Sequence, residues 1–286
     1  MGKQENIAAS LSYFDLLAAS EQGRWNLSEL PNEKLDRSKV TPELIRNVEA
    51  LAFGELTTFS ATASFMNLFQ DDVDFTQWIS VWFYEETKHP LALIRWLHLV
   101  DVPIDKSFIH RGREIRPMTT SKIEMLVFNI ISEITASNLY FQLRNVVEEP
   151  YLKEVLRNLA RDEMRHSVGF TEYCRNSIND SDDPDRERLR VLRTAWYMLQ
   201  PATRDGLSNH PVLLTRNNIS GIDWSQTVDR VNELVVTRLS NLLGIGIPSV
   251  DDLYEVYSTF KQRYRAENRG RNSDKVAVPA DLLRRG

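Results

Sequence analysis

Cysteine is all but missing from this chain: Cys174 is the only one among 286 residues. That excludes an intrachain disulfide framework, a cysteine-rich zinc site and a four-cysteine iron–sulfur cluster. A reducing, cytoplasmic compartment is the expectation. Long apolar runs are missing too, none approaching the roughly 18 residues of a membrane span. The first twenty residues, MGKQENIAASLSYFDLLAAS, carry charges between their apolar stretches and do not read as a signal peptide. Nor is there an excess of positive charge. With 35 basic and 40 acidic residues the net charge is −5, which argues against a general nucleic-acid binder. Hydrophobic residues make up 42%, enough to bury a large core, so the bulk of the chain is not disordered.

Glycine and proline are sparse, 11 of each, and their scarcity exposes the fold. The stretch from Met118 to Glu149 has neither, and Ile123, Leu126, Val127, Ile130, Ile131 and Ile134 recur at the helical period. Similar patterns predict helices over about 43–69, 74–100, 151–178, 187–204, 225–243 and 250–265. Thr41-Pro42 and Asp183-Pro184 read as helix starts, a capping residue before proline. No run alternates as a strand does, so the expectation is all-α. One domain spans 1–265, with its core bundle at about 43–178. The polar, arginine-rich residues 266–286 are expected to form a flexible tail.

Two segments resemble each other: Glu85-Glu86-Thr87-Lys88-His89 and Asp162-Glu163-Met164-Arg165-His166. Each reads acid, Glu, two residues, His, and on a helix the Glu and His three apart share a face and can grip one metal. Upstream of each lies a glutamate in an apolar or small-residue stretch, Glu55 in LAFGELTTF and Glu133 in FNIISEITA. Glu55 precedes Glu86 by 31 residues and Glu133 precedes Glu163 by 30. This is a helix-pair repeat with its candidate ligands in register. Four antiparallel helices would converge Glu55, Glu86, His89, Glu133, Glu163 and His166 in a bundle core, the arrangement of di-iron and di-manganese carboxylate bundles. Four carboxylates balance two divalent ions, and oxygen and imidazole ligands without thiolate suit iron or manganese. Glu85 competes with Glu86 for the ligand role, and the spacing favours Glu86. His98, His110 and His210 have no matching acidic pattern and read as ordinary residues.

These motifs, with Trp78 and Trp82 before the first and EEPYLKEVLRNLAR before the second, resemble the soluble acyl-ACP desaturases of the ferritin-like superfamily over about residues 25–178. The resemblance implies a ferritin-like four-helix bundle core with additional N- and C-terminal helices, usually a homodimer, holding two iron ions. Manganese at one position remains open. It implies O2-dependent desaturation of a fatty acyl chain on acyl carrier protein, with electrons from a ferredoxin-like donor. The six named residues match the family's iron ligands. Asp162 matches an aspartate that hydrogen-bonds the other motif's histidine, here His89. Trp25 in RWNLSELPNE resembles a tryptophan placed to pass electrons toward the iron, or else anchors its segment on the bundle. Two departures stand out: Ala136 occupies the position of a threonine found in some desaturases, with Thr135 one residue earlier, and Pro90 follows His89, which predicts a kink.

With no cluster cysteines and no dinucleotide fingerprint, electrons must come from a separate redox protein. Phe59, Phe83, Phe128 and Phe170 are candidates for a substrate slot or for core packing. Arg111, Arg113 and Arg116 are candidates for docking an acidic carrier protein, whereas Arg186, Arg188 and Arg190 read as a solvated helix face. A hydroxylase or N-oxygenase acting on a small metabolite would use the same six ligands. A ferroxidase or iron-storage protein is disfavoured by the roughly 110 residues that follow the bundle.

Overall fold

The computed structural model describes residues 12–115, 119–199 and 224–273, and within them all regular structure is helical. Helix α1 (Ser12–Gly23) is followed by three 3-10 turns, Leu27–Glu29, Asn32–Lys34 and Arg37–Lys39. Then come α2 (Pro42–Glu55), α3 (Thr58–Leu68), α4 (Val73–Leu99), the short α5 (Lys106–Gly112), α6 (Lys122–Val146) and α7 (Pro150–Asn179). The remaining described elements are α8 (Pro184–Leu199), α9 (Trp224–Leu243) and α10 (Leu253–Ser273). Arg116, His210 and residues 274–286 lie outside the described residues.

Caps start these helices where the sequence predicts. Thr41 Oγ1 accepts the Leu44 amide at 3.1 Å with Pro42 in the first turn, and Asp183 Oδ1 accepts the Arg186 amide at 3.1 Å. Glu149 does more than cap. Fully buried, it accepts the amides of Asp36, Tyr151 and Leu152 and the indole N–H of Trp96, at 2.7–3.1 Å, tying the N-terminal segment and α4 to the start of α7.

Two expectations are corrected. The stretch expected as one helix over 43–69 is two, parted at Leu56-Thr57. The Thr57 hydroxyl and amide both donate to the Gly54 carbonyl, at 2.7 and 3.1 Å, so three-residue hydrogen bonds replace the α pattern just after Glu55. Helix α10 continues past 265 to Ser273, through the first residues of the expected tail. Helix α4 runs on through Pro90, as the expected span of 74–100 requires.

The helices α2–α3, α4, α6 and α7 form the bundle. Its apolar interior is two clusters, one built on Phe65, Phe75, Trp78, Ile130 and Phe170, the other on Leu51, Leu93, Trp96, Leu139 and Leu156. Helices α8, α9 and α10 extend the first cluster, and the segment around Trp25 and Leu30 joins the second. Between the two, on α4, α6 and α7, lies a polar layer. Glu86 and His89 fall between Trp82 and Ala92, Glu133 between Ile130 and Ala136, and Glu163 and His166 between Leu159 and Phe170.

One glycine is dictated by packing. A Cβ on Gly169 of α7 would sit 2.3 Å from the Trp78 ring, itself walled in by Phe75, Phe170 and Tyr173. Alanine in place of a mid-helix glycine normally gains about 1 kcal/mol, but overpacking a closed core costs about 1–3 kcal/mol. Gly169→Ala is therefore expected to be destabilising, with a lower urea midpoint at unchanged slope. A gain in stability would show that the Trp78 ring can move.

Candidate metal centre

Each candidate ligand reaches the polar layer from a different turn of the bundle. Glu55 is the last residue of α2, where the break turns the chain. Glu86 and His89 sit one turn apart on α4, Glu133 on α6, and Glu163 and His166 one turn apart on α7. Their atoms form two groups, Glu55–Glu86–His89–Glu163 and Glu86–Glu133–Glu163–His166, with the ligand atoms in each group within 4.8 Å of one another. All six sequence-predicted ligands are thus brought together, and Glu86 and Glu163 belong to both groups.

The shared carboxylates turn one oxygen to each side. Glu86 Oε2 lies 3.6 Å from His89 Nδ1, and its Oε1 lies 2.8 Å from His166 Nδ1. Glu163 Oε1 lies 3.2 Å from His89 Nδ1, and its Oε2 lies 3.6 Å from His166 Nδ1. Glu55 completes the first group at 3.5 Å from His89 Nδ1, and Glu133 the second at 3.6 Å from His166 Nδ1. Atoms each about 2.1 Å from one ion, at right angles, stand about 3 Å apart, so the spacing suits ligands around two ions. His89 Nδ1, His166 Nδ1 and Glu86 Oε1 are buried without a hydrogen-bond partner, as metal-directed atoms would be. The residues fit a metal pair.

The opposite edges of the two histidines are held crosswise. His89 Nε2 lies 3.3 Å from Asp162 Oδ2, and His166 Nε2 lies 3.0 Å from Glu85 Oε2. Each motif's first acid therefore orients the other motif's histidine. Arg165 spans both acids, its Nη2 at 2.9 Å from Glu85 Oε1 and from Asp162 Oδ1. The Trp25 indole N–H donates to Asp162 Oδ2 at 2.7 Å, extending that contact outward to a residue 8% exposed. The buried Lys88 stands 4.7 Å from the Trp25 ring and donates to its carbonyl at 3.4 Å. The anchoring and the contact with Asp162 are thus both present at Trp25.

Several partners escaped the sequence reading. From sequence Glu85 reads as a rival ligand, although its place in the repeat equals that of Asp162. Thr58 Oγ1 donates to Glu86 Oε2 at 3.1 Å, so a threonine meets the site from α3 while position 136 on α6 is alanine. The Tyr140 hydroxyl donates to Glu55 Oε1, and the Trp82 indole to Glu133 Oε1 at 3.2 Å. Phe59, Phe83 and Phe128 are half-buried, whereas Phe170 is fully buried between tryptophans and lines no slot. His98 accepts the Ile104 amide at 3.1 Å and, like His110, is exposed and apart from the site.

Charge compensation decides how the site titrates. Burial, with repulsion from Glu163 and Glu86, pushes Glu55 up to about 8 from 4.5. Burial also raises Glu86 and Glu133. It opposes ionisation of Glu163, Asp162 and Glu85, yet the neighbouring histidines and Arg165 outweigh it. Glu163 and Asp162 fall well below the carboxylate range and Glu85 goes down to about 2. Burial disfavours the charged His89, but Glu86 and Glu163 overcome it, and the surrounding carboxylates do the same for His166, so both lie well above 6.5. The metal-free layer is thus charge-balanced by protons.

Those protons must leave as metal binds. The Glu55 contribution to the metal-free fold is full below 4.5 and is lost as pH rises through about 8. The gain in Tm on adding ferrous or manganous ion is therefore expected to grow from about pH 6 to about pH 8.5, with net proton release in calorimetry. A gain independent of pH would contradict this. Glu85→Ala should weaken metal binding about 10–100-fold, as Asp162→Ala should, because each frees one ligand histidine. Unchanged affinity in Glu85→Ala would sink the crosswise arrangement.

No protein-family model matches the chain, and no curated protein matches it. Solved structures do. The R2-like ligand-binding oxidase from Sulfolobus acidocaldarius aligns over 82% of this chain and 92% of its own at 16% identity, with a TM-score of 0.56. A point variant of an R2-like ligand-binding oxidase with anaerobically reconstituted Mn/Fe cofactor aligns over the same shares at 17% identity and 0.58. An R2-like ligand-binding oxidase with aerobically reconstituted metal cofactor after photoconversion covers 81% and 92% at 17% identity and 0.55. At such identities the likeness is one of fold: a ferritin-like helical bundle, here with a carboxylate–histidine cluster able to hold two metal ions.

Proposed function

We propose that this protein is an O2-dependent oxidoreductase using two metal ions, iron at both positions or manganese at one, and that it desaturates a fatty acyl chain carried on acyl carrier protein. The observation that carries the oxidoreductase reading is the pair of ligand groups sharing Glu86 and Glu163. A redox-active metal pair supplies, when bound, the oxidising power to take hydrogen from unactivated carbon.

The chain's own residues do the rest. Glu55, Glu86, His89, Glu133, Glu163 and His166 hold the ions, and Asp162 and Glu85 fix the two imidazoles. The apolar clusters on either side exclude water from the layer. On the α3 side the closure is looser: Thr57, Thr58 and Phe59 are only partly buried, as are Phe83, Phe128 and Thr135. This supports approach of an alkyl chain between α3 and α6. Arg113, stacked 4.3 Å over Phe59, supplies a cation on that side, with Arg111 two residues away, which favours an acidic carrier. The other arginine run is engaged, Arg188 with Asp185 and Arg190 with Glu187, at 2.7 and 2.8 Å. The Trp25–Asp162–His89 contacts support entry of electrons from an external redox protein at the opposite, N-terminal face. A homodimer is part of the same reading.

Iron-loaded protein, given O2, a ferredoxin-like donor and a panel of acyl carrier protein thioesters, should yield product lighter by two hydrogens. A product heavier by one oxygen would replace desaturation with hydroxylation. Consumption of O2 that only oxidises free iron would overturn the enzyme reading. Trp25→Phe should slow turnover driven by the protein donor while keeping the metal content. Equal rates would remove Trp25 from the path.

A further inference from the structure

Trp78 and Trp82 precede the first Glu-x-x-His unit by two turns and one turn, and in the fold they begin a continuous aromatic column. Trp82 touches the centre: beside its bond to Glu133, its ring lies 6.3 Å from that of His166, edge-on at 75°. Phe170 packs 5.3 Å from Trp82 and 4.8 Å from Trp78. Trp78 in turn lies 5.0 Å from Tyr173, whose hydroxyl donates to Asp74 Oδ2 at 2.9 Å. These four rings are 0–4% exposed, while Asp74, at the start of α4, is half-buried and also accepts the Tyr13 amide at 3.2 Å. The column thus joins the Glu133–His166 side of the centre to the protein edge, apart from the Trp25–Asp162 contacts on the His89 side.

Two tryptophans bridged by Phe170, with a tyrosine against the outer one, are more than a hydrophobic anchor needs. Indole and phenol side chains give up one electron to a strong oxidant, and ring-to-ring contact lets the vacancy move. Burial and the neighbouring Asp74 carboxylate hold the Tyr173 proton on its oxygen far above the ordinary phenol range. That proton therefore leaves when the ring is oxidised, and Asp74 stands ready to take it. Cys174 next door does not compete, because burial pushes its thiol up to about 12 and keeps it protonated.

We propose that Trp82, Trp78 and Tyr173 form an escape path for oxidising equivalents, leading from the metal centre to Asp74 and used when O2 is reduced with no substrate in place. The proposal rests on the O2-dependent reading above. In each step one electron moves inward: from Trp82 to the oxidised centre, from Trp78 to Trp82, and from Tyr173 to Trp78. As Tyr173 loses its electron, its proton passes to Asp74. A soluble reductant of the thiol or ascorbate class then returns one electron to Tyr173 while Asp74 gives the proton back along the same hydrogen bond. The ligands are thereby spared oxidation.

Iron-loaded protein is exposed to O2 without substrate, and O2 uptake, freeze-quenched paramagnetic resonance and peptide mass spectrometry are read together. The native chain should show a tyrosyl signal that narrows on ring deuteration of tyrosine. Tyr173→Phe, which keeps the ring, should lose that signal and raise oxygen addition at Trp78 and Trp82 several-fold. Asp74→Asn, which keeps the shape but not the proton acceptor, should shift both readouts the same way. Tyr197→Phe, at a half-exposed position on α8, should match the native chain. Ascorbate should protect the native protein and not Tyr173→Phe. If O2 is consumed and both variants keep the native signal and damage pattern, the path is overturned and the enzyme reading stands. If the native, iron-loaded chain consumes no O2, the enzyme reading falls instead.

Discussion

Four carboxylates and two imidazoles share one layer between two apolar clusters, and the fold depends on keeping that layer neutral. Removing such charges from water is costly, and leaving one unpaired costs about 3–5 kcal/mol. The solution is crosswise. Helix α4 supplies the acid that holds the α7 histidine, α7 supplies the acid that holds the α4 histidine, and Arg165 joins the two acids. This lattice orients both rings before any ion arrives. It also leaves the metal-facing atoms of His89, His166 and Glu86 without partners, which protons or cations must then satisfy.

Much else follows from holding that layer in place. The apolar clusters on either side provide the stability that a charged centre lacks. Close approaches carry the geometry. Gly169 admits the Trp78 ring against α7, Gly23 lets the Arg165 guanidinium reach the end of α1, and Gly112 lets α5 press on Leu56 at the α2–α3 break. That break directly follows Glu55, and residues 57–59 beyond it are only partly buried.

The all-α class, the bundle and the convergence of the six candidate ligands were legible because helical spacing repeats the same unit twice, Glu55–Glu86–His89 and Glu133–Glu163–His166. The Asp162–His89 contact was legible through the family resemblance. Its mirror, Glu85–His166, was written in the same repeat, but a carboxylate next to a ligand looks like a rival ligand until the rings are seen edge-on. The α2–α3 break was hidden because it rests on a threonine hydroxyl finding the Gly54 carbonyl, a choice that periodicity does not encode. Trp82, Tyr140 and Thr58 were hidden for a related reason. Aromatic and small residues at helical spacing read as core, and only the fold shows which of them aims a hydrogen bond at a ligand.

If Glu86 and Glu163 are shared between two ions, with His89 and His166 serving one each, metal content must follow the two ligand groups. Elemental analysis of chains reconstituted with ferrous iron under anaerobic conditions tests it directly. Two ions are expected in the native chain, about one in His89→Ala and in His166→Ala, and neither retained in Glu163→Ala. A native chain that takes up one ion, or a Glu163→Ala chain that keeps two, would contradict it.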